Sequence, residues 1–319
     1  MLKEVFVKKT MMLILIGCLV VAGPLFAMDQ TLYIGAWAEV GDLLDYETPD
    51  AFTYKAEPYA EYRFGRTSVD KLTGGLYLSL DSPYVFETEI KTVRPSAEGW
   101  IDYRFMDAPK SLMEGGLWFY GTQDSTSGTY IDAYGYFDWY PINKAQDVTV
   151  HPHFPDVLQG VRIGVGVGGG AKVNQLLEDV AVTTDINADL VGLVSAGARM
   201  GESFWAMGKV QLGLANLAAP SSFDTFTIFS TAQMQGSLSY ITEKFLISAA
   251  VKGYLKAADL ITEDGLLEDP SYTYSYSAEG SLGFFLDRLY VYGGAELFGR
   301  RTSVIDNCVG YVGAAYYLL

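Results

Sequence analysis

The stretch FTYKAEPYAEYRF (52–64) decides the fold. Phe52, Tyr54, Ala56, Pro58, Ala60, Tyr62 and Phe64 fall on one side; Thr53, Lys55, Glu57, Tyr59, Glu61 and Arg63 fall on the other. A period of two sustained this long becomes two faces only in an extended strand. Its second part, AEPYAEYRF (56–64), returns as AEGWIDYRF (97–105), with Glu98, Trp100, Asp102 and Arg104 on the polar side. Each copy is followed by a matching segment, KLTGGLYLSL (71–80) or SLMEGGLWFY (111–120), so the repeated unit is strand, short turn, strand.

A third copy is due near Asp138, and DWYPINKAQ does not match it, which argues against a propeller or solenoid. The alternation itself continues, through TLYIGAWAEV (31–40), YIDAYGYFDWY (130–140), GVRIGVGVG (160–168), DINADLVGLVSAGAR (185–199), FWAMGKVQLGL (204–214), TFTIFSTAQMQGSLSY (225–240), FLISAAVKGYL (245–255), YTYSYSAEGSLGFF (272–285), LYVYGGAELF (289–298) and CVGYVGAAYYLL (308–319). With the two repeated hairpins this predicts about 14 strands, each near the ten residues that carry a tilted strand across a bilayer. The connections alternate too. GRTSVD, MDAPK, MGES, TEK and LDR are short; 41–51, 81–96, 123–129, 169–184, 215–224, 256–271 and 299–307 are longer and polar. Short turns on one rim and long loops on the other follow. The exception is PINKAQDVTVHPHFPDVLQ (141–159), which stands where a short turn is due and reads as a periplasmic excursion or a segment folded into the lumen. No helical period dominates; AKVNQLLEDV (171–180) reads as at most a short helix in a loop.

The N-terminus has three lysines, an apolar run and PLFA, the layout of a secretory signal peptide over 1–27 that leaves 28–319 as one domain. LIGC (15–18) reads as part of the apolar run rather than as a lipidation site, and Cys308 is then alone, so no intramolecular disulfide forms. The chain carries a net charge of −16, more negative once the leader is removed, which excludes nucleic acid as a partner.

The C-terminus, GYVGAAYYLL, resembles the terminal strand of bacterial outer-membrane β-barrels. Gly313, Tyr316 and Leu318 match that assembly signal, and Leu319 stands where the terminal aromatic is usual. The resemblance implies an all-β, transmembrane, antiparallel up-and-down barrel in outer-membrane lipid, with short periplasmic turns and longer extracellular loops. It also implies folding by the outer-membrane barrel assembly machinery.

Motifs for catalysis are weak. GVGVGG (164–169) fits a dinucleotide fingerprint, but it lies among hairpins rather than between a strand and a helix, so its glycines read as relief of crowding on a strand. His151 and His153, the only histidines, read as a surface turn stiffened by Pro152 and Pro155; no Cys or carboxylate cluster lies beside them to make a metal site. There is no G-x-S-x-G, and no enzyme activity, cofactor or metal is expected.

The charged stripes are the candidate site. Opposite the apolar face of the first seven strands lie Glu39, Lys55, Glu57, Glu61, Arg63, Lys71, Glu98, Asp102, Arg104, Glu114, Asp132, Asp138 and Arg162. On later strands the same face carries Gln211, Thr225, Thr227, Thr231, Gln233, Gln235, Ser237, Ser275 and Ser277. Charges at membrane depth must face water or a partner, so these residues are expected to line a lumen, with cross-strand pairs such as Glu57 or Glu61 with Lys71. Roughly eight strands are enough for side chains to fill a barrel, so fourteen leave a cavity unless a segment plugs it. The expected function is a porin-like channel passing small hydrophilic solutes, with a mild cation preference. The alternative is a structural or surface-interaction barrel whose acidic loops, DLLDYETPD and ITEDGLLEDP, bind a partner. A carrier of hydrophobic molecules is disfavoured, because a first strand at Thr31 leaves no room for an N-terminal hatch.

Overall fold

The computed structural model describes residues 28–41, 43, 53–85, 94–124, 128–154, 156–175, 182–215, 228–262, 265–266, 271–300 and 307–318. Residues 1–27, read above as a leader, and Thr225, Thr227 and Leu319 lie outside them. The strands are β1 (Gln30–Gly41), β2 (Thr53–Phe64), β3 (Leu72–Val85), β4 (Arg94–Ala108), β5 (Ser111–Asp124), β6 (Gly128–Val148), β7 (Val157–Gln175), β8 (Val182–Met200), β9 (Phe204–Ala215), β10 (Ile228–Ile241), β11 (Phe245–Thr262), β12 (Gly265–Leu266), β13 (Ser271–Leu286), β14 (Leu289–Arg300) and β15 (Asn307–Tyr317).

Each long strand pairs antiparallel with its neighbours in chain order. β15 returns to β1 through Tyr33↔Tyr317 and Trp37↔Gly313, so the sheet closes. β12 pairs only with the end of β11, leaving a closed barrel of 14 strands. Closure satisfies the main-chain N–H and C=O groups strand to strand and leaves no open edge, the condition for β-structure in hydrocarbon.

Side-chain alternation stays in phase around the ring. On the outer face lie Leu117, Ile163, Leu212, Met234, Val251 and Val312, all exposed, Leu117 at 64% and Val312 at 65%. Between the two rims no Asp, Glu, Lys or Arg of the described strands falls on this face. A soluble monomer does not sustain such a surface; a bilayer requires it. Near the short-turn rim the outer face turns aromatic, with Tyr103 against Phe105, Phe105 against Phe137, Phe204 against Tyr240 and Phe245 against Phe284. Rings at this level suit the boundary between hydrocarbon and head groups.

The strands run further than the sequence suggests. Residues 171–175, read as the start of a loop helix, continue β7, and β11 reaches Thr262. Of 141–159, residues 141–148 belong to β6 and 157–159 to β7, so the irregular connection is 149–156 alone. The β6–β7 hairpin therefore overshoots the short-turn rim. Its turn inward is set by Gly160 at φ 109° and by Gly197 opposite it, where a Cβ would meet the Leu158 carbonyl at 1.8 Å. Glycine is the residue that tolerates both demands.

Candidate functional site

The register places the strand-borne members of the predicted charged set on the inner face. Glu39 lies level with Lys55 and Tyr311, Glu98 with Tyr77 and Tyr120, Arg104 with Glu114, and Asp138 with Glu114 and Gly166. Two pairing expectations are corrected. Lys55 bonds Glu57 at 2.9 Å along its own strand, and Arg63 bonds Glu61 in the same way. Lys71 instead sits exposed ahead of β3 at the rim. Tyrosines complete the shell: Tyr77 donates to Glu57 at 2.8 Å, and Tyr33 donates to Glu61. Glu57 and Glu61 are thereby buried at 6% and 7% exposure, braced in the wall rather than presented to water.

A second network ties β4, β5, β6 and β7. Asp147 receives both Arg104 and, at 2.9 Å, Arg162; Glu114 lies 3.5 Å from Arg104, and Asn143 accepts from Arg162 at 3.2 Å. Nearby, Tyr136 donates to Asp102 at 2.7 Å and Tyr140 to Asp138 at 3.2 Å. Trp118 donates to Glu98 at 2.7 Å, and Lys172 lies 3.4 Å from Asp132. Asp147 was missed in the sequence because it falls in the stretch taken as an excursion. Two buried guanidiniums share its carboxylate, so Asp147→Asn leaves like charges facing each other. The expected loss is about 3 kcal/mol, read as a lower temperature at which the compact, heat-modifiable form disappears on gels.

The two halves of the lumen differ. The inner face of β1 to β7, with β14 and β15, is filled by rings and paired charges; Tyr134, for example, lies directly over Gly168, where a Cβ would collide with its hydroxyl. The inner face of β8 to β13 carries Lys209, Gln211, Gln233, Gln235 and Lys252, and beside it lies a cavity of about 1130 Å³ that also reaches Glu114, Asp138 and Asp189. Lys209, Lys252 and Asp189 were legible as inward residues by period two but stood apart from the dense charges of the first strands.

The short-turn mouth is occupied by the 149–156 connection, which corrects the reading of HPHFP as a surface turn. His151 is 6% exposed, its ring stacked on Phe285 at 4.1 Å. His153 stacks on Tyr317 at 3.8 Å. Phe154 meets Phe285 and Tyr290 edge to face at 5.2 and 5.5 Å, and also packs against the cluster of Val157, Trp205 and Ile241. It thus bridges the ends of β13 and β14 to the apolar cluster at the ends of β9 and β10. Toward β2 and β3 the contacts are polar. Asp156 accepts from the Ser68 N–H at 2.7 Å, Thr67 at 3.2 Å and Thr149 at 2.6 Å; Arg66 donates to the Pro152 carbonyl and bonds Asp29 at 3.0 Å. The plug is latched by hydrogen bonds on one side and sealed by rings and aliphatic groups on the other.

Titration follows from this packing. Burial, followed by the neighbouring His153 and Arg66, pulls His151 down to about 4, against a lesser opposite pull from the Glu243 carbonyl. Burial and Arg66 lower His153 as well. Burial alone would raise Asp156, but its hydrogen bonds from Thr149, Ser68 and Thr67 outweigh that and hold it below the usual carboxylate range. Both imidazoles are therefore neutral in the seated plug at neutral pH, and Asp156 is ionised. Among the described residues no group of three or more His, Cys, Asp or Glu is placed to hold a metal.

At the C-terminus, Gly313 is the inward residue under Tyr292 and beside Trp37, while Tyr316 and Leu318 face outward and are exposed. The Leu318 N–H donates to the Leu32 carbonyl at 2.7 Å, continuing the closing seam.

Fold and lumen define a class: an apolar-walled, antiparallel barrel of 14 strands with a plugged short-turn mouth. Among solved structures the chain is similar to OmpT, an outer membrane protein of Vibrio cholerae, in its loop L8 deletion mutant, at 10% identity over 91% of this chain and 99% of that one, TM-score 0.42. It is also similar to OccK2 (OpdF) of Pseudomonas aeruginosa in complex with glucuronate, at 12% identity over 92% and 98%, TM-score 0.37. The TodX monoaromatic hydrocarbon channel, as a deltaS2 mutant, aligns at 10% identity over 90% and 89%, TM-score 0.42. These likenesses concern architecture and carry no residue roles. No family model and no curated protein matches the chain.

Proposed function

We propose that the protein is a passive channel for small hydrophilic solutes in a bacterial outer membrane, closed in its resting state by the 149–156 plug at the periplasmic mouth. One observation carries the reading: a cavity of about 1130 Å³ lies among polar side chains of β5 to β11, and at the short-turn ends of β9 and β10 Trp205 and Ile241 pack against Phe154 of a separate, latched turn. A barrel with a purely structural role has no need to keep half its lumen polar and unfilled. A ring of apolar groups across a polar conduit is, by contrast, an effective barrier to ions. The competing reading, a structural or surface-interaction barrel, draws support from the seal itself.

Small-ion preference is a matter of the open half. Glu57 and Glu61 are buried and neutralised by Lys55 and Arg63, so the field in the open half comes from Asp138 and Asp189, which line the cavity with Lys209 and Lys256, while Lys172 on the same cavity is paired with Asp132. We infer a mild cation preference from these acids. The test is the reversal potential of single channels in planar bilayers under a salt gradient. Native channels should favour the cation, and Asp189→Asn should reduce that preference more than Glu61→Gln. A folded barrel that stays silent at all voltages, with the plug intact or removed, refutes the channel.

A further inference from the structure

The inner wall opposite the filled half has an ordered chemistry that the channel reading does not use. Register places Lys209 on β9, Gln235 on β10, Lys252 on β11 and Ser277 on β13 side by side at one level. One step along the strands, Gln211 and Gln233 lie side by side on β9 and β10. All six border one cavity of about 780 Å³. No Asp or Glu of β9, β10, β11 or β13 falls in these two rows; Lys209 faces Asp138 across the neighbouring cavity without a close ion pair, and Lys252 stands farther from the acids of β6 and β8. Among the described charges of β2 to β7, Lys55, Glu57, Glu61, Arg63, Asp102, Arg104 and Arg162 are paired or held by tyrosines; here two ammonium groups stand exposed beside amides.

The spacing limits what fits. Lys209 and Lys252 are two strands apart, about 10 Å between backbones, with Gln235 between them on a wall curved toward the lumen axis. Ammonium groups at both flanks recognise an anionic oxygen pair. Amides and hydroxyls offer donor and acceptor together, which is what an array of hydroxyl groups requires and what a bare inorganic anion cannot use. Tyr254 on β11 stands level with Gln233 and borders the same cavity, so a ring face is present for the apolar side of a sugar, and the two lysines carry the preference for an acid over a neutral sugar.

We propose that the inner faces of β9, β10, β11 and β13 form a binding site for small hydroxylated carboxylates, with the carboxylate held by Lys252 and Lys209 and the hydroxyl groups by Gln211, Gln233, Gln235 and Ser277. This names the solute class of the proposed channel and rests on that reading for the solute's route. The site is also compatible with the acidic field around it. Small ions sample the whole lumen, whereas a bound solute answers to the groups it touches.

The test uses the full-length protein folded in detergent micelles, where ligand saturation-transfer NMR and calorimetry read binding without needing an open plug. The probes are gluconate, glucose and acetate. Gluconate should bind about tenfold more tightly than glucose or acetate, and Lys252→Gln or Lys209→Gln should each weaken it about tenfold, with Lys252→Arg close to native. Heat-modifiable migration verifies that each variant is folded. Equal binding of gluconate and glucose, acetate binding as well as gluconate, or indifference to both Lys→Gln substitutions overturns the proposal. A silent barrel that still binds gluconate removes the channel and leaves this site standing; a conducting barrel that treats gluconate and glucose alike removes this site and leaves the channel.

Discussion

Phe154→Ala is expected to convert a mostly closed barrel into one with sustained conductance. The ring touches Phe285 and Tyr290 on one side and packs against the Val157, Trp205 and Ile241 cluster on the other. Removing it forfeits two aromatic edge contacts, at about 0.5–1.5 kcal/mol each, and part of the apolar burial that seats the turn. A net loss of about 2 kcal/mol shifts the seated-to-open ratio roughly thirtyfold. In planar bilayers this appears as longer and more frequent openings of unchanged size, since the barrel wall is untouched. Replacing 150–154 with a glycine–serine link of equal length should go further and leave the pore permanently open. The polar latch is expected to survive Phe154→Ala, because Asp156, Ser68 and Thr67 are unaltered. If both variants fold and conduct no more than native protein, the turn is a brace, not a gate.

The barrel itself was legible because a two-residue period translates directly into faces, and the same parity put Glu61, Asp102 and Arg104 inside without knowledge of any contact. What parity cannot supply is the partner. Register sets Glu61 opposite Tyr77 on β3, so Arg63 folds along its own strand to reach it, and Lys71 is left at the rim. A segment folded into the lumen was one of two readings of 141–159, but the burial of its histidines was illegible for a different reason. HPHFP has the letters of an exposed turn, and its burial arises from rings more than a hundred positions away, Phe285 and Tyr317, which no local pattern encodes. Two signals pointed toward it all the same: a connection too long for its rim at 141–159, and inward aromatics at the very ends of β13 and β15. Lys209 and Lys252 obeyed the period, one to a strand. Their significance lies in being level with each other, which only the register shows.

Acidification should unseat the same plug. His151 is held at about 4 in the seated turn, against about 6.5 for a solvated imidazole. The released turn therefore binds more protons than the seated one, and seating weakens as pH falls. Its contribution is complete above about pH 6.5 and is lost progressively toward about pH 4. The geometry agrees in sign: His151 Nδ1 accepts the His153 N–H at 3.2 Å, so a proton there would set donor against donor. Around the ring are His153 of the same turn and Arg66 of the β2–β3 connection, both opposing a new positive charge, with the Glu243 carbonyl of the β10–β11 connection in partial support. Phe285 offers only its π face, and Asp156, held below the usual carboxylate range, stays ionised through the window and keeps the latch constant. At pH 5 the cost for His151 alone is about 2 kcal/mol, a roughly thirtyfold shift toward the open state relative to pH 7.5, and the lowered His153 adds in the same direction. Single-channel open probability measured from pH 7.5 to pH 5 should rise accordingly. His151→Phe keeps a ring against Phe285 and removes the titrating nitrogen, so its open probability should respond to pH far less than native protein, with only His153 left to titrate. A pH response of native size in His151→Phe would assign the switch to another group, and a native channel indifferent to pH would show that the imidazoles seat the turn by packing alone.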